Sequence, residues 1–334
     1  ITYSNIQEYI DVVDRDRCGH DINKLSTQFL RRLDSELRFN SLDENLVSSG
    51  SFKPAYWIYH KTIASFFRVY LTYVAIVTTI LDNLQPTNVI VFSENRHDDT
   101  MFHETLNGSK FNDLAFLRKV LESLIDERPA IQLEIIIVPA RRFRVKSERS
   151  TWGRLTSGFS SRLYPVSKLL SRVGDFAYST VFRHQPSMYV LRYGTTNEIN
   201  AISADLKTRG MRVRDLSQFV NSGADQVRGR VDLTETTFLQ VIDDVFGEQG
   251  LTFEPIASDF YNNVVYAINS AIDTYLQALD TFRSERFYVI LASTAADYGA
   301  IATLTAAKTF GIKSIICQHG AGYGDSDGLL QLNY

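Results

Sequence analysis

Phe287–Gly324, FYVILASTAADYGAIATLTAAKTFGIKSIICQHGAGYG, constrains the fold more than any other stretch of the chain. Tyr288–Leu291 is a short apolar run of β-forming residues. Ser293 and Thr294 offer an N-cap, and Asp297 places an acid in the first turn of a helix. Ala296, Ala300, Leu304 and Ala307 recur at helical spacing, and Gly311 stops the helix as a C′ glycine. Ile312–Cys317 is a second, mostly apolar run, without the alternation of a sheet that has one wet face. A strand, a helix and a strand in this order predict a right-handed crossover and a parallel pair. The second strand then empties into Gln318, His319, Gly320, Ala321, Gly322, Tyr323 and Gly324. Binding and catalytic groups of open α/β sheets gather at the carboxyl ends of strands, so His319 is the first candidate for chemistry.

The rest of the chain extends this pattern. Ile1–Leu37 divides into two helical pieces, with Ile6, Ile10 and Val13 on one face and Leu25, Phe29, Leu30 and Leu33 on another. Pro54 opens a long helix to about Leu84, at a position where its missing N–H would be unpaired anyway. The second half of that helix is nearly apolar all round, which predicts burial in a large core. Its most apolar window, Val69–Leu81, is 13 residues long. A membrane span needs about 20, so a core helix is expected. Val89–Phe92 and Leu133–Val138 read as strands around a helix over Asn112–Ile125. Met188–Leu191 and Met211–Leu216 read as strands around a helix over Asn197–Arg209, ended by Gly210. Thr234–Phe246 and Ala257–Phe282 are helical before the closing unit. Strands near 89, 133, 188, 211, 288 and 314, most of them separated by helices, predict an α/β protein. The expected architecture is a Rossmann-like, mainly parallel sheet with large helical additions. A helical region over 1–85 would pack on a sheet domain over 86–334.

Composition narrows the classes. With 334 residues, 44% hydrophobic and 22% charged, the chain can bury a substantial core, and a net charge of −3 calls for no polyionic partner. Cys18 and Cys317 are the two cysteines and form no C-x-x-C motif, which makes a reducing cytoplasm the default. The acidic, amphipathic N-terminus lacks the basic start of a signal peptide. The chain opens on Ile1 and closes at Asn333-Tyr334 in mid-pattern, as expected of a piece of a longer protein. One region departs from the average. Residues 140–184 carry Arg141, Arg142, Arg144, Lys146, Arg149, Arg154, Arg162, Lys168, Arg172 and Arg183 against only Glu148 and Asp175, interleaved with Phe143, Trp152, Phe159 and Tyr164. This basic insertion suits contact with an anionic membrane surface. It equally suits a loop and helix whose arginines pair with the chain's own acids. It matches no nucleic-acid motif.

Three clusters carry candidate chemistry. In Gln318–Gly324, glycines bring backbone N–H groups close to a ligand, and His319 can serve as a base or as a cationic phosphate ligand. The same turn also fits a sharp chain reversal with a capping histidine. It is neither a G-x-G-x-x-G fingerprint at the start of a βαβ unit nor a phosphate-binding loop with Gly-Lys-Ser/Thr. The outlet Glu94–Asp99, with His103 and Glu104 beyond it, offers Glu94 or Asp98 as a base for an acceptor hydroxyl. His97 and His103 lack metal-ligand spacing, so no metal is expected there, and a solvated polar loop is the plainer account. Arg192-Tyr193-Gly194-Thr195-Thr196 joins a strand to a helix N-terminus, where Arg192 and Thr195 could meet a phosphate or a sugar.

A final strand ending in Gln318-His319-Gly320-x-Gly322-Tyr323-Gly324, after a helix closing in Ala306-Ala307 and Gly311-Ile312, resembles bacterial surface-polysaccharide glycosyltransferases of the Kdo-transferase kind. Its His-Gly step is similar to that of the glycerophosphotransferases of teichoic-acid synthesis. The resemblance covers roughly the last forty residues. It implies a GT-B-like N-terminal acceptor domain, with His319 and the Gly320–Gly324 turn facing a cleft and a donor domain following Tyr334. It further implies sugar transfer from a nucleotide donor, CMP-Kdo being one case, to a glycan or lipid-linked glycan acceptor. No cofactor enters, and the setting would be cytoplasmic, at the face of the inner membrane. Two alternatives stand beside this one: a CDP-polyol phosphotransferase, and a non-catalytic α/β module that docks a partner or membrane through 140–184.

Overall fold

Leu25, Phe29, Leu30 and Leu33 form the inward stripe of the first described helix and are all buried, as their spacing predicts. The computed structural model describes residues 15–40, 42–93, 102–105, 108–111, 113–126, 128–137, 189–193, 197–215, 231–247, 253–292 and 297–317. The chain divides into two units, and all of these residues belong to the larger, Ile1–Val138 with Tyr189–Tyr334. The smaller, Pro139–Met188, contains the basic insertion and lies outside the described residues.

The first elements are α1 (Arg15–Glu36), β1 (Arg38–Phe39), α2 (Glu44–Val47), α3 (Pro54–Trp57), a π-turn (Tyr59–Ala64) and α4 (Ser65–Leu84). They are followed by β2 (Asn88–Ser93), β3 (Phe102–Thr105), β4 (Gly108–Phe111), α5 (Asp113–Asp126) and β5 (Gln132–Ile137). After the smaller unit come β6 (Tyr189–Tyr193), α6 (Asn197–Thr208), β7 (Arg212–Asp215), β8 (Val231–Asp232) and α7 (Glu235–Phe246). The last are α8 (Glu254–Ser284), β9 (Phe287–Ala292), α9 (Tyr298–Thr309) and β10 (Lys313–Ile316).

The largest core lies between helices. Phe66 of α4 stacks on Phe260 of α8 with ring centroids 3.6 Å apart. Phe29 of α1 meets Phe67 edge-on at 5.1 Å and Phe238 of α7 at 5.6 Å. All five rings are fully buried. Burying such a side chain contributes about 1.5–3 kcal/mol, and a well-oriented aromatic pair adds about 0.5–1.5 kcal/mol. The helices of the first 85 residues therefore share their core with α7 and α8, more than 150 residues later in the chain.

The helix expected to run unbroken from Pro54 to Leu84 is interrupted. Pro54 does open α3, but Thr62 N and Ile63 N both donate to Ile58 O, at 3.0 and 3.4 Å, which widens the helix into the π-turn. Ser65 Oγ donates to His60 O at 2.7 Å. The Tyr59 hydroxyl meets those of Ser26 and Thr27 at 3.1 and 3.3 Å, so this turn is tied to α1. An extra residue per turn re-phases the stripe, and Ile63, Phe66, Phe67 and Tyr70 all reach the core. The second half of α4 is not buried all round. It buries Ile76, Val77 and Leu81, whereas Leu84 is 44% exposed. Tyr59–Leu84 is, among the described residues, the helix long and apolar enough to cross a membrane by length and composition, with 39% of its most apolar window buried.

The strands near 188, 211, 288 and 314 form one four-stranded sheet in the order β10–β9–β6–β7, every pair parallel. On one face Val190, Val289 and Leu291 pack with Ile199 and Leu206 of α6. On the other, Ile290 joins Ile301, Ala302 and Ala306 of α9 in the main core. Helices thus cover both faces at β9, the arrangement that lets a parallel sheet be apolar on both sides. Both connecting helices end in the same way. Gly210 (φ +80°) and Gly311 (φ +65°) take the left-handed C′ position after α6 and α9. Paired bonds Gly210 N to Lys207 O and Met211 N to Leu206 O, and likewise Gly311 N to Lys308 O and Ile312 N to Ala307 O, satisfy the last carbonyls.

Several elements depart from the sequence reading. The strands near 89 and 133 are β2 and β5, a separate parallel pair over Val77, Leu81, Leu121 and Ile125. Among the described residues no hydrogen bonds join it to the larger sheet. β3 and β4 form an antiparallel hairpin where no strand is expected, with Thr105 paired to Gly108 across two linking residues. β1 and β8 add a two-residue antiparallel pair. β10 is exposed along its whole length, with Ile315 at 51% and Ile316 at 48%. It is one of the two edge strands, and among the described residues no strand pairs with its outer side.

Candidate functional site

The strand order defines one special place. The chain runs from β6 outward to β7, then crosses back to β9 on the other flank of β6 and continues to β10. Connections on the two sides therefore diverge at β6 and β9, and beyond the carboxyl ends of two such strands a crevice opens that commonly receives ligands. β6 ends at Arg192-Tyr193 and β9 at Leu291-Ala292.

Arg192 is held at that end of β6 from two directions. It pairs in register with Asp215, the last residue of β7, and one terminal nitrogen donates to the Asp215 carboxylate. The other donates to Asn200 Oδ1 in the first turn of α6 at 2.8 Å. The arginine and aspartate side chains are only 23% and 22% exposed, so the pair is partly withdrawn from water and is less screened than an open surface bridge. Neither Asp215 nor Asn200 was singled out from sequence. An acid closing the run Arg212-Val213-Arg214-Asp215 at a strand's carboxyl end was the available signal.

At the end of β9, Asp297 is the N-cap of α9, in place of Ser293 or Thr294. Its side chain accepts from Ala300 N at 2.7 Å and the residue is 4% exposed. A buried carboxylate at this position compensates the positive end of the helix, leaving less of that field for an added anion. Beyond β10, Cys317 N donates to Ala292 O at 2.8 Å, extending the β9–β10 ladder by one residue; the half-buried thiol is free.

Of the residues chosen from sequence, Arg192 is described. Gln318, His319, Gly320, Gly322, Tyr323 and Gly324 lie outside the described residues, as do Thr195, Glu94 and Asp98. His319 follows Cys317 by two residues along the chain. His103 and Glu104 belong to β3. Among the described residues no group of three or more His, Cys, Asp or Glu is placed to hold a metal. Comparison with protein-family models, with curated proteins and with solved structures finds no match to this chain.

Proposed function

We propose that this chain is the acceptor-side part of a glycosyltransferase of surface-polysaccharide synthesis, with a Rossmann-like sheet and a GT-B-like plan. One observation supports the reading: β10 ends at the carboxyl edge of a parallel sheet, the edge at which β6 and β9 also end, and in the sequence Gln318 comes next after Cys317. The acceptor hydroxyl would lose its proton as its oxygen attacks the anomeric carbon of the nucleotide-sugar. The bond from that carbon to the phosphate oxygen would break, and the leaving phosphate would carry the negative charge. His319 would take the proton or pair with the phosphate; Glu94 and Asp98 are the other candidate bases. Gln318, Gly320, Gly322, Tyr323, Gly324 and Thr195 would line the ligand side. The setting would be cytoplasmic, against the inner membrane, with 140–184 as the membrane-facing part.

The test is transfer by the full-length protein. His319→Ala should lower the rate about 10²–10⁴-fold if the imidazole moves the proton. Transfer at the wild-type rate would remove His319 from the chemistry. Nucleoside diphosphate release across a donor panel marks a sugar-diphosphate donor. Release of CMP calls for mass analysis of the product, which separates a transferred sugar from a polyol phosphate.

A further inference from the structure

We propose that Arg192 is a positioning residue, which with Asp215 and Asn200 forms a strut that ties the first turn of α6 to the carboxyl ends of β6 and β7 beside the crevice. This rests on the crevice at β6 and β9 being the ligand site of the proposed transferase. Three residues, 194–196, link β6 to α6. One end of this link is Arg192-Tyr193, and the other is the first turn of α6, where Asn200 sits. The guanidinium spans both ends and adds a third anchor on β7, through Asp215. Arg192 shares its sheet face with Val190, the face that α6 covers, so the strut closes the mouth of the α6 core made by Val190, Ile199 and Leu291. Both terminal nitrogens are committed within the protein, so the two-pronged fork that would grip a phosphate is already engaged. The bond to Asp215 is partly buried and charge-assisted, and the bond to Asn200 lies at the surface.

Two measurements on the whole chain decide the matter. The first is amide hydrogen exchange in Arg192→Gln, Asp215→Asn and Asn200→Ala. Roughly tenfold faster exchange confined to 193–200 is expected in all three, the scale of losing a charge-assisted bond. Asn200→Ala, which leaves the ion pair intact, guards against a variant that fails to fold. No change at 193–200, or a uniform rise over the molecule, would overturn the strut.

The second is the transfer assay. A positioning role predicts that Asp215→Asn and Asn200→Ala lower kcat/KM together with Arg192→Gln, and that the Arg192→Gln/Asp215→Asn double variant falls no further than the worse single one. Arg192→Lys, which keeps the charge but not the fork, should not restore it. If Asp215→Asn instead lowers the KM for the donor, the released arginine binds ligand directly, and the positioning role is wrong. If no transfer occurs in the wild type while exchange still responds locally, the strut stands and the transferase reading fails.

Discussion

The helical core and the parallel sheet are built on opposite economies of contact. In the core, Phe260 touches Phe29, Phe66, Phe67 and Phe238 at centroid distances of 3.6–5.7 Å, and Phe67 also meets Phe246 and Phe253. Each ring has several partners drawn from α1, α4, α7 and α8, so stability is concentrated where helices distant in sequence converge. The sheet holds its apolar residues in a single thin layer on each face. It ends in polar devices, the Arg192 strut and the Asp297 cap, and among the described residues nothing pairs with the outer edge of β10. The first region resists change because its contacts are many. The second can host a site because few contacts oblige its carboxyl edge to be apolar.

Several substitutions would break or sharpen this contrast. Phe260→Ala should cost about 3–5 kcal/mol in urea unfolding, the loss of a large buried ring and the cavity behind it. A loss below that of Leu291→Ala in the sheet would reverse the ranking of the two regions. Asp297→Ala removes the cap of α9 and should cost about 1–2 kcal/mol, with Asp297→Asn keeping most of it. Equal losses from the two variants would mean that the charge, not the hydrogen bond to Ala300 N, holds the helix end.

A titration comes next. His60 in the π-turn has its pKa pushed below the ordinary 6.5, by burial first and then by the positive charges of Arg68 and Lys61. The unfolded chain therefore binds this proton more readily than the folded one. Its contribution is fully present above about pH 6.5 and is lost as the pH falls from there toward the folded value. Urea midpoints measured down to pH 5 should fall more steeply for the wild type than for His60→Gln; parallel curves would show that His60 has no part in it. The smallest effect is expected at β10. Ile315→Lys should shift stability by no more than about 0.5 kcal/mol, since the side chain is half in water already. A large loss there would show that the edge of β10 is covered in solution.

Much of the local structure was legible in the sequence, and for a common reason. Thr234 caps α7 by accepting from Thr237 N, Gly210 and Gly311 end α6 and α9, and Pro54 opens α3. Each of these depends on atoms within a few residues of one another. The hairpin of β3 and β4 is equally local, its strands being joined by two residues. The π-turn was not legible, because it answers to the hydroxyls of Ser26 and Thr27, over thirty residues away along the chain. In the candidate site, Arg192 was picked out by its place at a strand's end, while Asn200 and Asp215 were not. Their tie to Arg192 exists only because β6 and β7 are neighbours and α6 folds back over them.

β9 and β10 show most plainly where the sequence stops deciding. Both are short apolar runs at the two ends of α9, and periodicity assigns each to a strand of a parallel sheet. Composition does not set their neighbours. β9 lies between β6 and β10 with helices on both faces, so Ile290 and Ala292 are fully buried. Among the described residues β10 has a strand on one side only, and its isoleucines stand half in water. Strand identity is a property of local backbone preference and was set by the chain itself. Burial depends on which distant segments come to lie alongside, and that was decided by the tertiary structure, together with the strand order that makes β6 and β9 the point where the connections diverge.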